Sequence, residues 1–293
     1  MMKLGLLMKK QEYTHSTPVM DEMFRHLRKH GVAVSTIVPE EHVIELQHVR
    51  VENDLYVIRP GIELGLSLAG VLHELGARLI NSYPASAVLQ DKVLVTHRLI
   101  RAGIPTPRSF VTGNVDKTIA TIAGERLIIK PHRGSYGIGV RVVDRADEPT
   151  PRGGYFAQQF KKPLGPDLKV YVIGDDVFAV RRKFPAESYE DKLGQPCIVD
   201  ESIRMIALRI GDLFNLQIYG IDVIEHADGF DVIDVNYFPG FVGVPKAAEK
   251  LADYLFRCLA DECAIDGAAA FPARPERTPS SGIDAPYQSV TLS

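Results

Sequence analysis

The sequence has few cysteines, little net charge and no long apolar run, and each shortage excludes a class of function. Its three cysteines, Cys197, Cys258 and Cys263, are spread through 293 residues without a C-x-x-C pair. An odd, sparse set argues against a disulfide framework or a structural zinc centre and fits a reducing compartment. A formal net charge of −3 gives no overall pull toward nucleic acid or anionic lipid, so an anionic ligand has to be met by a local basic cluster. No stretch approaches the roughly 18 apolar residues of a membrane span. The opening "MMKLGLLMKKQEYTH" turns polar too soon for a signal peptide. The expectation is a cytoplasmic protein with small-molecule partners, no nucleic acid and no membrane; the oligomeric state is left open.

What is present suffices for a sizeable core, since 45% of residues are hydrophobic and 24% charged. In the first eighty residues "KLGLLM", "VAVSTIV", "LYVIRPG" and "ARLINS" read as strands, separated by the helical patterns "VMDEMFRHLRKHG" and Leu64 to Leu75. Such alternation predicts a parallel sheet with helices on its faces, a doubly wound α/β domain over residues 1–84. No G-x-G-x-x-G follows its first strand, which removes the dinucleotide signature. Two helical segments, about Ala85 to Leu89 and Asp91 to Ala102, are stopped by "AGIPTP". From Ser109 onward short apolar runs and turn signals predict antiparallel hairpins in an α+β arrangement, with divisions at 85–156 and 157–265. "ESIRMIALRIGDLFNL" and Lys246 to Cys263 read as helices, and residues 266–293, rich in Ala, Pro and Ser, as a disordered tail.

Two stretches carry chemistry. In "LIIKPHRGSYGIGVRVVD" a lysine, Lys130, ends one strand and a G-x-x-G-x-G loop leads into another. Walker and dinucleotide loops need a helix at the glycines. A strand at that point leaves a hairpin that folds over a ligand, its backbone close to phosphate because Gly134, Gly137 and Gly139 lack a Cβ. In "IDVIEHADGFDVIDVN" alternation places Val232, Asp234 and Asn236 on one face, with Ile233 and Val235 on the other. A three-residue turn Ala227-Asp228-Gly229, with Gly229 left-handed, sets Asp222 across from Asp234. Facing carboxylates require a cation, and Asp222, Asp234 and the Asn236 amide oxygen are an all-oxygen set suited to Mg²⁺, or Mn²⁺, shared with nucleotide phosphates.

With these stretches in hand, the chain resembles the ATP-grasp superfamily, and within it the RimK-type carboxylate–amine ligases. "VIRPG", "INSYPASAVLQDK", "LIRAGIPTP", "GSYGIGV", "FAQQF", "YGIDVI" and "DVNYFPG" follow in the order of that family, from Met1 to about Ala264. The resemblance implies an ATP-grasp fold behind a pre-ATP-grasp domain, with ATP and two metal ions. It implies that Lys92 and Lys130 meet the phosphates and that Gly134, Ser135, Tyr136, Gly137, Ile138 and Gly139 form a lid. Gln158, Gln159 and Phe160 would supply the hinge whose backbone meets adenine, with Asp167 near the ribose. The basic run Arg181, Arg182 and Lys183 at a strand end would steady the transferring phosphoryl group.

"LKVYVIGDDVFAVRRKF" and "IDVNYFPG" are also similar to inositol trisphosphate 5/6-kinases, although those lack the G-x-x-G-x-G loop. The RimK-type arginine and asparagine pair after this strand is replaced by "PAESYEDKLGQP". The reading is an ATP-dependent ligase with small carboxylate and amine substrates and an acyl-phosphate intermediate. The alternative is a polyol or inositol phosphate kinase, with Lys9, Lys10, His132, Arg133 and Lys246 as acceptor pocket. A non-catalytic ATP-binding protein is a third reading, weakened by the complete acid–acid–amide set.

Overall fold

The computed structural model describes residues 1–10, 18–59, 63–113, 126–133, 139–143, 155–183 and 189–263. The expected tail therefore lies outside the described residues, as do Gly134 to Ile138 of the glycine loop.

The N-terminal sheet comprises β1 (Lys3–Leu7), β2 (Ala33–Ile37), β3 (Leu55–Ile58) and β4 (Leu79–Ile80), all parallel, in the order β2-β1-β3-β4. Between them run α1 (Pro18–Lys29) and α2 (Glu63–Glu74). Helix α1 buries Met20, Met23, Phe24 and Leu27, the i, i+3, i+4, i+7 stripe of an amphipathic helix. It ends at Gly31, whose φ of +76° lets the Val32 N–H reach back to the Leu27 carbonyl.

Two short helices follow, α3 (Tyr83–Val88), capped by Ser82, and α4 (Lys92–Arg101), capped by the Asp91 carboxylate on Val93 and Leu94 N–H. The middle sheet comprises β5 (Ser109–Thr112), β6 (Leu127–Pro131), β7 (Arg141–Val143) and β8 (Tyr155–Gln159), antiparallel in the order β5-β8-β6-β7. Strand β8 crosses the expected division at 156/157 and pairs within this sheet on both sides. Leu127, Ile129, Val143 and Ala157 form its own small core.

The C-terminal sheet comprises β9 (Asp167–Ile173), β10 (Asp176–Arg182), β11 (Gln195–Cys197), β12 (Ile218–His226) and β13 (Gly229–Tyr237), antiparallel in the order β11-β10-β9-β12-β13. The short α5 (Tyr189–Leu193) precedes β11. Helix α6 (Glu201–Phe214) packs on this sheet, where Tyr219 Oη donates to the Ala207 carbonyl at 2.7 Å, and α7 (Ala247–Leu259) lies against α1. The N- and C-terminal sheets share one continuous core. Polar clamps reinforce this junction: Arg59 donates to the carbonyls of Phe238 and Pro239 at 3.0 and 3.3 Å, and Arg78 to the Cys258 carbonyl at 2.6 Å. All three cysteines are free thiols. Among the described residues no helix is long and apolar enough to cross a membrane.

Candidate functional site

Residues paired across neighbouring strands stand on the same face of a sheet, and this rule builds the site. Lys169 of β9 pairs with Asp222 of β12, which pairs with Asp234 of β13. One step along, Tyr171 and Asn236 flank Gly220, and in the other direction Asp167 stands beside Arg182 of β10. A single face of the sheet thus carries Asp167, Lys169, Tyr171, Arg182, Asp222, Asp234 and Asn236.

Asp222 does face Asp234, but the sequence-based reason for it needs correction. The loop is Ala227-Asp228 alone; Gly229, with φ of +132°, already pairs with His226. A two-residue loop would bring Ile233 opposite Asp222. A β-bulge at Ile233 shifts the ladder by one, so that Val223 pairs with Val232 while Asp222 pairs with Asp234. Val232 is therefore not on the acid face: it is buried opposite Val223, and Val235 is buried on the same side opposite Ile221. Contacts with distant residues hold the bulge. The Val232 N–H donates to the Pro105 carbonyl at 2.8 Å, and the Ile233 carbonyl accepts from Lys130 Nζ at 3.3 Å.

Three lysines converge here. Lys169 Nζ is 2.6 Å from Asp222 Oδ2. Lys92, the first residue of α4, places Nζ at 3.2 and 3.1 Å from the two Asp234 oxygens, and its N–H donates to the His132 carbonyl. Lys130 is only 8% exposed and donates to Gln158 Oε1 at 2.8 Å, while Gln158 Nε2 donates to Ser109 Oγ at 3.2 Å. Burial pushes the Lys130 ammonium below its ordinary range, opposed chiefly by the Asp234 charge. Burial likewise raises the Asp167 carboxyl, against the pull of Lys169.

The remaining expected residues divide. Arg182 lies on the site face, its Nη2 donating to the Val242 carbonyl at 2.5 Å and its guanidinium over the Tyr171 ring. Arg181 does not lie there, because adjacent strand residues point to opposite faces; it forms a two-point ion pair with Glu225 on the far side. Replacing Arg181 by Met is expected to change turnover by no more than about twofold and stability by no more than about 1 kcal/mol, as for other half-exposed ion pairs. Replacing Arg182 by Met is expected to abolish most activity. Steady-state rates of the two variants check this placement, and a tenfold loss in the Arg181 variant would overturn it.

The N–H groups of Gln159 and Phe160 donate to the carbonyls of Arg108 and Arg126, so the strand end is fastened on both sides. Gly139 has φ of +78°, and a Cβ there would meet Pro131 at 2.9 Å, so the end of the loop requires glycine. Of the basic residues considered for a polyol pocket, Lys10 is bound to Glu41 at 2.7 Å and Lys246 lies 4.0 Å from Glu249.

Lys169 and Tyr171 escaped the sequence reading. The signal was available: alternation from Asp167 puts both on its face.

Among the described residues no three of His, Cys, Asp and Glu form a metal cluster. The candidate set is two carboxylates and an amide, and it fits a hard divalent cation through the chemistry of its donors. All are oxygen, and each of the two like-charged carboxylates already holds a cationic group.

Residues 89–255 match the RimK-like ATP-grasp domain. The α-aminoadipate–LysW ligase LysX of Saccharolobus solfataricus is 26% identical over 239 residues, 73% of this chain and 86% of that protein. A probable α-L-glutamate ligase of Haemophilus influenzae is 26% identical over 215 residues, 66% of this chain and 72% of that protein. The crystal structure of a RimK domain ATP-grasp protein from Sphaerobacter thermophilus superposes with a TM-score of 0.66 at 18% identity, covering 87% of this chain and 99% of that one.

Proposed function

We propose that this chain, which belongs to the RimK-like ATP-grasp family, uses ATP to activate a carboxylate and joins it to an amine, releasing ADP and phosphate. The observation that carries the reading is the row Lys169–Asp222–Asp234, met by Lys92 from α4 and Lys130 from β6. It is an anion site and a cation site in one place. Of the relatives named above, one is an α-aminoadipate–LysW ligase and one a probable α-L-glutamate ligase, which supports an amino acid or small peptide as substrate.

In this reading Lys92 and Lys130 hold the phosphates of ATP, and Asp167 meets the ribose. Asp222, Asp234 and Asn236 would hold Mg²⁺ or Mn²⁺, two ions when full, and the metal would supply neutralisation of phosphate charge. The substrate carboxylate attacks the γ-phosphorus as its bond to ADP breaks, and Arg182 steadies the charge in transit. The amine then attacks the acyl carbon, loses a proton, and phosphate departs. Sheltering the acyl phosphate from water is the part expected of the loop Gly134 to Gly139, whose first five residues lie outside the described residues.

The fate of the γ-phosphate tests this. With ATP, Mg²⁺ and a pool of amino acids and small peptides, hydroxylamine in place of the amine is expected to give a hydroxamate, one per phosphate released. Mass spectrometry then identifies the carboxylate. Retention of γ-label on a polyol product, with no hydroxamate from any carboxylate, would overturn the ligase in favour of a kinase.

A further inference from the structure

Each carboxylate of the proposed metal set already has a cation in contact. Lys169 Nζ sits 2.6 Å from Asp222, and Lys92 Nζ 3.1 Å from Asp234. These four side chains are between 16% and 26% exposed, so water screens the pairs only in part. Lys130 is placed differently: its ammonium rests on two neutral acceptors, Gln158 Oε1 and the Ile233 carbonyl. With the next acid along, Asp167, which feels Lys169, and with Arg182, which stands opposite Asp167 in the strand register, the face and the lysines that meet it hold four cationic groups against three carboxylates. Such a cluster draws an anion and repels a dication.

We propose that Lys92 and Lys169 occupy the cation's place on Asp234 and Asp222 in the nucleotide-free protein, so that the divalent ion enters only once a nucleotide polyanion has drawn these ammonium groups away. The proposal rests on the assignment of Asp222, Asp234 and Asn236 to the metal. Lys130 gives the incoming phosphates a first foothold, because its release costs no carboxylate its partner. Lys92 and Lys169 then exchange carboxylate for phosphate, and the freed acids accept the metal. By linkage, nucleotide and metal strengthen each other by one and the same factor.

Manganese reports the order through water-proton relaxation, which is enhanced only when the ion sits on the protein. Mn²⁺ alone is expected to bind the wild-type protein at least about tenfold more weakly than Mn²⁺ with ADP present. Lys169→Met is expected to recover at least about tenfold of that difference without nucleotide, because it leaves Asp222 unpaired. Lys92→Met does the same for Asp234 and serves if the first variant fails to fold. The proposal is overturned if wild-type protein binds Mn²⁺ equally well with and without ADP, or if neither folded variant gains affinity for Mn²⁺ alone. Failure of the underlying assignment has a separate signature: Asp234→Asn would then leave the ADP-dependent enhancement unchanged.

Discussion

Asp234→Asn is expected to lower turnover by about 100-fold or more while the fold stays in place. Asparagine keeps the size of the side chain and an oxygen able to accept the Val235 N–H, now bonded at 3.1 Å. What it loses is the charge that faces Lys92 and, in the proposed cycle, the metal. The ion pair with Lys92 is partly exposed, so its loss changes stability by no more than about 1 kcal/mol. That corresponds to a melting shift of about 2–4 °C for a chain of this size. Rates measured across a Mg²⁺ titration, alongside thermal melts, separate the two effects. Turnover near wild type at every metal concentration would remove Asp234 from the metal set.

The largest effect on stability is expected far from the chemistry, at Asn81. This side chain is wholly buried at the junction of the N- and C-terminal sheets. Its Nδ2 donates to the Ile218 carbonyl at 2.6 Å, and its Oδ1 accepts from the Gln217 and Ile218 N–H groups at 2.8 and 2.9 Å. The amide thus stands in for a strand at the start of β12. Alanine removes the acceptor of the Gln217 and Ile218 N–H groups, the second of them buried, at about 1–3 kcal/mol each, while the Ile218 carbonyl keeps the Phe238 N–H at 2.9 Å. A total of roughly 2–4 kcal/mol follows, with a fall in melting temperature on the order of 10 °C. Asn81→Asp is expected to be no better, since it keeps the acceptor but loses the donor and buries a charge. A loss below about 1 kcal/mol for Asn81→Ala, read from denaturant titration, would show that the junction finds substitute partners.

The sequence revealed those features whose causes are local. Strand and helix alternation over the first eighty residues and the hairpins after Ser109 depend on periods of 2 or 3.6 and on turn residues. That Asp222, Asp234 and Asn236 share one face was legible for the same reason. The bulge at Ile233 was not, because Pro105 and Lys130, more than a hundred residues away in sequence, hold it. The reading reached the correct acid pair through an incorrect turn. Arg181 was misplaced because a basic run was read as a unit where a strand turns neighbours to opposite faces. Asn81 gave no signal in "INS", since its partners lie about 136 positions further on.

The bulge also bears on how this hairpin can change over evolutionary time. A turn of two residues with one extra residue in the returning strand, and a turn of three with none, bring the same two acids face to face. One insertion at the tip and one deletion at position 233 together leave the number of residues between the two acids unchanged, and neither alone takes them out of register. Descendants of a common ancestor can differ in length at both points and still agree at the acids, at the expense of the carbonyl on which Lys130 rests. The tip beyond the bulge is insulated from the acids, and its drift leaves Asp234 and Asn236 in phase with Asp222.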